Sequence, residues 1–273
     1  MKVDQARVVL TGATGGIGRS IAERLVRSGA ALMLVGRSAA RLAGQARELA
    51  GSLDGKPASE SRIAWRLADL TQPAVVDQLA ETAAHWDCNV VVHGAGVPAF
   101  GPFGEVDTEC LRAVVETNLI APIRLTQALL PHLRKQRRAQ IVCIGSAVGA
   151  IGVPGFAVYG ATKFGLRGFA EALRRELADT RVRVQYLAPR STRTAFNDGR
   201  ASSYLRATGA VVDPPERVAA ALLKLIQSEQ PERYVGYSES LAIRVNAFAS
   251  GWLDGAFRKH RRSLFDRRSK ENP

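Results

Sequence analysis

Tyr159 and Lys163 stand four residues apart in Tyr159-Gly160-Ala161-Thr162-Lys163. On a helix this spacing puts a phenol and an ammonium on one face. A free phenol has a pKa of about 10, too high for easy proton exchange at neutral pH. A neighbouring positive charge favours the phenolate and lowers that value. The same spacing also describes a packed Tyr beside a solvated Lys, so the pair needs company to mean proton transfer. Ser146 follows the β-type run Ile141–Gly145, which brings a hydroxyl to the carboxyl edge of a sheet, where open α/β sheets bind ligands. Asn118 interrupts a largely apolar helical stretch with an amide, a locally unfavourable choice that implies a packing or water-binding reason.

A second group sits at the start of the chain. Thr11-Gly12-Ala13-Thr14-Gly15-Gly16-Ile17-Gly18 follows a strand and opens a helix. Glycines let the backbone turn tightly and approach a pyrophosphate, and the N–H groups of the helix start attract its negative charge. The second strand ends Val35-Gly36-Arg37-Ser38, where dinucleotide sites that take NAD place a carboxylate on the ribose hydroxyls. Here no carboxylate repels a 2′-phosphate, Arg37 can pair with one, and Ser38 can add a hydroxyl donor. This pattern predicts NADP(H) in preference to NAD(H); a solvated Arg37 is the alternative.

These residues require a scaffold that sets strand ends side by side. Strands are predicted at Arg7–Leu10, Ala31–Val35, Ile63–Leu67, Asn89–Val92, Gln140–Ile144 and Arg183–Leu187, each of the later ones preceded by a helical stretch. Such alternation predicts an α/β fold with a doubly wound, Rossmann-like parallel sheet and helices on both faces. The longest helices are expected near Asp107–Lys135, with Pro122 and Pro131 inside it as points of kinking or breaking, and near Val158–Thr180. Gly51–Ser61 reads as a loop. Residues 191–213 show no period and read as a substrate loop, because a loop of that length in a compact domain is usually functional. Pro214-Pro215 opens a last helix through Val218, Leu222 and Ile226. The domain reading is one catalytic domain over 1–235, an apolar extension over 236–257 and a basic tail over 258–273.

Composition agrees with one α/β domain. The chain has 273 residues, 46% hydrophobic and only 6% aromatic, and Ala, Val, Leu and Ile suit a sheet covered on both faces. Cys88, Cys110 and Cys143 are odd in number and widely spaced, which excludes a full disulfide framework and favours buried small hydrophobes in a reducing cytoplasm. No metal-binding spacing is present. No signal peptide is read at the start, and no run approaches the roughly 20 apolar residues of a membrane span. The net charge is +13, but seven Lys or Arg against one Asp fall between Arg258 and Lys270. A basic tail is implied, not a nucleic-acid-binding surface.

Taken in order, these motifs resemble the short-chain dehydrogenase/reductase family in its single-domain form, from about Arg7 to Ile226. The T-G-x-x-x-G-x-G loop matches at Thr11, Gly12, Gly16 and Gly18, with Thr14, Gly15 and Ile17 between them. Asp69-Leu70 matches the pair that holds the adenine, and Asn118, Ser146, Tyr159 and Lys163 match the catalytic tetrad. The resemblance implies that Ser146 and Tyr159 hold a substrate carbonyl, Tyr159 donates a proton, Lys163 holds the nicotinamide ribose and lowers the tyrosine pKa, and Asn118 positions a relay water. It also implies a homodimer or homotetramer built through the two long helices. The chain departs from the family pattern twice. His93-Gly94-Ala95-Gly96 stands where the family has N-N-A-G; Gly94, Ala95 and Gly96 keep the approach to the cofactor, and His93 reads as a structural residue. Pro189-Arg190-Ser191-Thr192-Arg193-Thr194 stands where the family has P-G and then a Thr; Pro189, Thr192 and Thr194 are carried over as cofactor-side residues. Arg190 and Arg193 either clamp an anionic group or face solvent.

The substrate-side segments contribute Val148, Ile151, Val153, Phe156, Phe196, Tyr204, Leu205, Val211 and Val212, which favour an apolar ketone, aldehyde or acyl-linked carbonyl. Beyond them Leu241, Ile243, Val245, Phe248, Trp252, Leu253 and Phe257 precede the basic tail. That segment has three readings: contact with an anionic membrane surface, packing on the domain, or a subunit interface. For the whole chain the leading expectation is an NADPH-dependent carbonyl reductase. The alternatives are an NADP-dependent alcohol dehydrogenase, a membrane-surface reductase of lipid intermediates, and an NADP-sensing regulatory module.

Overall fold

The computed structural model describes residues 1–52, 62–197, 199–236, 243, 246, 251 and 254–265. Of the expected loop Gly51–Ser61, Gly51 is still helical and Ser52 ends that helix, and 53–61 lie outside these residues. So do Leu241, Val245, Phe248, Trp252, Leu253 and the chain after Phe265.

Seven strands form one parallel sheet: β1 Arg7–Thr11, β2 Ala31–Gly36, β3 Ile63–Leu67, β4 Val90–His93, β5 Ala139–Ile144, β6 Val182–Ala188 and β7 Glu232–Tyr234, in the order β3-β2-β1-β4-β5-β6-β7. The chain steps outward from β1 through β2 to β3, then returns to β4 on the other side of β1. The carboxyl ends of β1 and β4 therefore flank the topological switch point, where such sheets open a crevice. Side chains alternate across the sheet. Val8 and Leu10 join α1 (Gly16–Arg27), α2 (Ala39–Gly51) and α8 (Pro215–Ser228) in one core layer, whereas Val9 joins α3 (Pro73–His85), α5 (Ala121–Leu133) and α6 (Ala157–Glu176) in the other. β7 escaped the sequence pattern because it is a three-residue edge strand, Glu-Arg-Tyr, without a buried side chain.

The helix expected over 107–135 is three pieces. α4 (Thr108–Val115) is capped by Asp107, whose carboxylate accepts from the Cys110 N–H at 2.7 Å. A π-helical turn spans Glu116–Ile120 and leads into α5. Pro122 accounts for this break in the α-helical ladder: it has no N–H to offer the Asn118 carbonyl four residues back, and the Ala121 N–H bonds to Glu116, five back. Pro131 sits near the end of α5 without breaking it.

Residues 191–213 are not structureless. They contain α7, Gly199–Thr208, which buries Ala201, Tyr204 and Leu205 on one face. Both ends of this crossover are tied together. Thr192 and Asp213 form an isolated parallel bridge, and the buried Asp213 carboxylate accepts two bonds from Arg190, each 2.8 Å, and one from Arg217 at 3.1 Å. Arg190 is thus a strut of the loop's base. Its fork is committed to Asp213 in bidentate geometry, which corrects the expectation that it clamps a ligand or faces water.

Among the described residues no helix is long and apolar enough to cross a membrane, and no cluster of His, Cys, Asp or Glu is arranged to hold a metal ion. The three cysteines are free, and burial pushes the thiols of Cys88 and Cys143 up to about 12.

Removing the Asp213 charge strands a mostly buried guanidinium. Asp213→Asn should cost about 3–5 kcal/mol in a denaturant titration. Arg217→Ala, which removes the exposed partner, should cost less than about 1 kcal/mol.

Candidate active site

The crevice is bounded by the glycine loop on one side and the β4 exit on the other. Gly12 takes φ +68°, and a Cβ there would lie 2.6 Å from the Gly94 carbonyl oxygen. Only a residue without a side chain lets these two backbones meet. Thr11 is buried beneath them, and its hydroxyl accepts from the N–H groups of Gly94 and Ala95 at 3.0 and 3.1 Å. It pins the cradle from behind and does not face the crevice. α1 begins at Gly16 after Gly15, which offers no capping side chain, and its first turn holds no acidic residue. The positive end of the helix is left for an anion. Thr14 and Ile17 are partly buried on this loop. Thr194 packs over it, its Cγ2 2.5 Å from where a Gly16 Cβ would sit.

At the end of β2, Arg37 is exposed and Ser38 caps α2 by accepting from the Arg41 N–H at 3.4 Å. Arg41 is a cation the motif reading missed. Its guanidinium donates to the Thr14 carbonyl at 2.6 Å, which bridges the glycine loop to the Arg37–Ser38 corner. Asp69 is exposed and folds an Asx turn by accepting from the Thr71 N–H and hydroxyl, with the half-buried Leu70 between them. Thr192 and Pro189 are placed differently from their expected role. Thr192 is buried and donates to the Arg190 carbonyl, and the Pro189 carbonyl accepts from Ala147 N–H, so both brace loops behind the crevice. These features fit a dinucleotide: a bare loop against a helix start for the pyrophosphate, and cations without a carboxylate at the β2–α2 corner.

Asn118, Ser146, Tyr159 and Lys163 converge at the carboxyl ends of β4 and β5. Lys163 is buried, and its Nζ donates to the Ile144 carbonyl at 3.0 Å and lies 5.6 Å from the centre of the Tyr159 ring. Burial lowers the Lys163 amine to about 8. Burial also raises the Tyr159 phenol to about 12, opposed by a hydrogen bond with the Ser146 side chain. The expected depression of the phenol by the ammonium is therefore reversed in the protein without ligand, because desolvation penalises both charged forms. The Ser146 hydroxyl also accepts from Val148 N–H at 3.3 Å. Asn118 acts as a clamp: its Oδ1 accepts from the Val97 N–H at 2.8 Å and its Nδ2 donates to the Val97 carbonyl at 3.0 Å and to Thr162 Oγ1 at 3.4 Å. It locks the segment after Gly96 to α6, one residue from Lys163. His93 is structural. It is buried, its Nε2 lies 2.8 Å from the Thr126 hydroxyl, and burial drops its pKa to about 3.

Tyr186 was not singled out by any motif. Its hydroxyl accepts from Ser146 N–H at 3.3 Å and lies 3.4 Å from both the Ser146 and Lys163 carbonyls. A Cβ on Gly145 would overlap the phenol, and one on Gly149 would come within 2.5 Å of its oxygen. One buried ring thus ties the backbone of the Ser146 loop to the backbone of α6 at Lys163. The only sequence signal was a lone aromatic residue in β6, opposite a loop rich in glycine.

Aromatic rings continue outward from Tyr159. Phe196 and Phe156 lie 5.8 and 6.3 Å from it, Phe100 lies 4.9 Å from both Phe156 and Tyr204, and the Tyr204 hydroxyl donates to the Pro154 carbonyl at 2.8 Å. Phe100 was missed by the sequence reading. Val211 and Val212, expected beside substrate, are 54% and 42% exposed at the end of the 191–213 segment.

A family model described as short chain dehydrogenase matches residues 6–204. The mouse protein named dehydrogenase/reductase SDR family member 7B is 34% identical over 185 residues, which is 67% of this chain and 57% of that protein, so the chain matches little more than half of that relative's length. The 3-oxoacyl-acyl-carrier-protein reductase FabG of Escherichia coli K12 is 30% identical over 81% of this chain and 89% of its own. Among solved structures, a short-chain dehydrogenase from Sphingobium yanoikuyae in complex with NADPH is 28% identical, with a TM-score of 0.75 over 90% of this chain and 95% of that one.

Tyr186→Phe keeps the ring and deletes the hydroxyl. It should leave coenzyme affinity intact and lower kcat about ten-fold, read by steady-state kinetics beside coenzyme titration. The Lys163 amine should also mark the stability of the ligand-free protein. Its folded pKa of about 8 lies below the unfolded value of 10.5, so between pH 8 and about 10 the unfolded chain binds more protons and stability rises with pH. The rise, on the order of a few kcal/mol, should vanish in Lys163→Met when denaturation midpoints are compared across that window.

Proposed function

The chain belongs to the short-chain dehydrogenase/reductase family and is an NAD(P)-dependent oxidoreductase; we propose that it reduces an apolar ketone, aldehyde or acyl-linked carbonyl with NADPH. The observation that carries this reading is the group of Ser146, Tyr159 and the buried Lys163 at the switch-point crevice, opening on a wall of aromatic rings. Bound in the crevice, the nicotinamide coenzyme would supply the hydride.

The residues would divide the remaining work. Gly12, Gly15, Gly16 and Gly18 with Thr194 would hold the pyrophosphate against the start of α1. Arg37, Ser38 and Arg41 would hold a 2′-phosphate, and the absence of a carboxylate in the first turn of α2 supports NADP(H) over NAD(H). Asp69 and Leu70 would border the adenine. Ser146 and Tyr159 would donate hydrogen bonds to the substrate oxygen, so that charge developing there is met by donors already in place. Tyr159 then passes its phenolic proton to that oxygen. A phenol held near 12 arrives protonated at any working pH, the form that reduction requires. Lys163, buried beside the ring, would hold the nicotinamide ribose and return the proton. Asn118 keeps that amine in register through Val97, and its main-chain carbonyl, denied a donor by Pro122, would hold the relay water.

Apolar walls at Phe100, Phe156, Phe196 and Tyr204 support a hydrophobic substrate. The name of the bacterial relative adds acyl thioesters to the classes worth assaying. A homodimer or homotetramer through α4–α5 and α6 is supported by the outward Leu111, Ile120 and Phe164 on those helices. Free cysteines suit a cytoplasmic setting, and the basic C-terminal helix favours a lipid surface within it.

A screen of ketones, aldehydes and acyl thioesters, run with NADPH and NADH, tests the assignment. Wild type should turn over an apolar carbonyl with NADPH favoured in kcat/KM. Tyr159→Phe should bind NADPH normally and lose about 10²–10⁴ in kcat. Turnover near normal in that variant, or a preference for NADH, would refute the corresponding role.

A further inference from the structure

We propose that the C-terminal helix α9, Arg258–Phe265, docks the protein on an anionic phospholipid surface with the mouth of the active site turned toward the bilayer. The proposal deepens the carbonyl-reductase reading and rests on it for the nature of what enters that mouth. At 100° per residue, Arg258, Arg261, Arg262 and Phe265 share one face of the helix. All four are exposed, Phe265 at 64%. The helix holds no acidic residue, and none of its cations takes part in an ion pair among the described residues.

The opposite face is already occupied. His260 Nδ1 lies 2.8 Å from the Tyr204 hydroxyl, and because that hydroxyl gives its proton to Pro154, the imidazole N–H is the donor. Leu264 reaches to 3.0 Å from where a Cβ on Gly155 would sit, and Phe257 packs 5.1 Å from the His260 ring. The helix is therefore fixed to the rim of the aromatic wall with its basic face outward. The rings form a continuous lane from the catalytic phenol to the helix, through Phe156, Phe100, Tyr204 and His260.

A merely solvated basic helix gains nothing from an exposed phenylalanine between its arginines. Interfacial helices combine the two: cations meet lipid phosphates while an aromatic ring enters the boundary of the acyl chains. Three further Lys or Arg follow in the sequence by Lys270, against Asp266. The apolar lane behind the helix favours a bilayer over a nucleic acid, which would have no use for a route of rings into the site.

Flotation of the full chain with vesicles of phosphatidylcholine alone, or of an equal mixture with phosphatidylglycerol, tests the proposal. Wild type should bind the mixture, lose binding as salt rises, and ignore the neutral vesicles. Phe265→Ala should weaken binding about ten-fold, and the combined Arg258→Glu, Arg261→Glu and Arg262→Glu variant should abolish it. Both variants should retain turnover of a water-soluble ketone, which also shows that they fold. With a long-chain methyl ketone dissolved in the vesicles, anionic lipid should raise the rate of wild type and of neither variant. Equal binding to both vesicles, undiminished binding by Phe265→Ala, or tighter capture by a random RNA oligonucleotide than by the mixture would overturn the proposal. Because flotation needs neither coenzyme nor carbonyl, failure of the wild type to dock while it still turns over a carbonyl refutes this inference alone. Docking without turnover of any carbonyl refutes only the reductase reading.

Discussion

A primary amine sealed from water sets the terms for this structure. Lys163 is 5% exposed and finds one main-chain carbonyl, Ile144, at the end of β5. An isolated ammonium in such a place is expensive, and the lowering of its pKa to about 8 expresses that. The surrounding architecture reads as what is needed to hold an uncomfortable group still. β5 ends where its last carbonyl meets the amine. Tyr186 reaches from β6 to fasten the Lys163 carbonyl and the Ser146 N–H with one hydroxyl. Asn118 fastens the strand-exit segment on the other side through Val97. None of these contacts touches a reacting atom, yet each removes a way for the amine or the phenol to drift.

The same economy governs the crossover after β6. A glycine is the family's expectation after Pro189; here Arg190 follows it, and its side chain turns back to Asp213, more than twenty residues on. The pair closes the base of the segment that carries Thr194, Phe196 and α7 to the crevice. A loop closed at its base can present an adaptable tip from a fixed stem, which suits the role proposed for this segment beside coenzyme and substrate. Arg200 adds a second fastening, to Glu105 at 2.9 Å.

Much of this was legible in the residues. The glycine loop ahead of α1, the parallel sheet of an alternating chain and the gathering of Asn118, Ser146, Tyr159 and Lys163 at one edge of it depend on local spacing and on short-range backbone rules, and these survive translation from sequence to structure. The misses share a physical cause: they are contacts made across the chain. Asp213 lies twenty-three residues from Arg190 and carried no local sign of pairing with it. Tyr186 lies forty residues from Ser146, and its meaning depends on two glycines it plugs. Thr11 sat in the right motif with the wrong orientation, because facing the ligand and bracing the loop that faces it leave the same sequence trace. α7 was hidden by its brevity, since Ala201, Tyr204 and Leu205 give too few repeats to display a period. The rise of the phenol's pKa in the ligand-free protein, where spacing pointed to a fall, has a different cause. Spacing reveals which charges are near, but desolvation depends on everything packed around them.

That last point bears on the direction of chemistry. A site built to oxidise an alcohol needs a base ready to take the hydroxyl proton, so its ligand-free form gains from a phenol already drawn toward the phenolate. Burial does the reverse here: it keeps the proton on Tyr159 while it lowers the proton affinity of the Lys163 amine behind it. Under the proposed reduction, delivery of a proton to a carbonyl oxygen would need no prior ionisation, and the amine, lowered to about 8, would refill the phenol once it is spent. The aromatic lane supports the proposed reading, because a carbonyl among apolar rings would have few competing donors, and hydrogen bonds from Ser146 and Tyr159 would be the strongest polar contacts open to it.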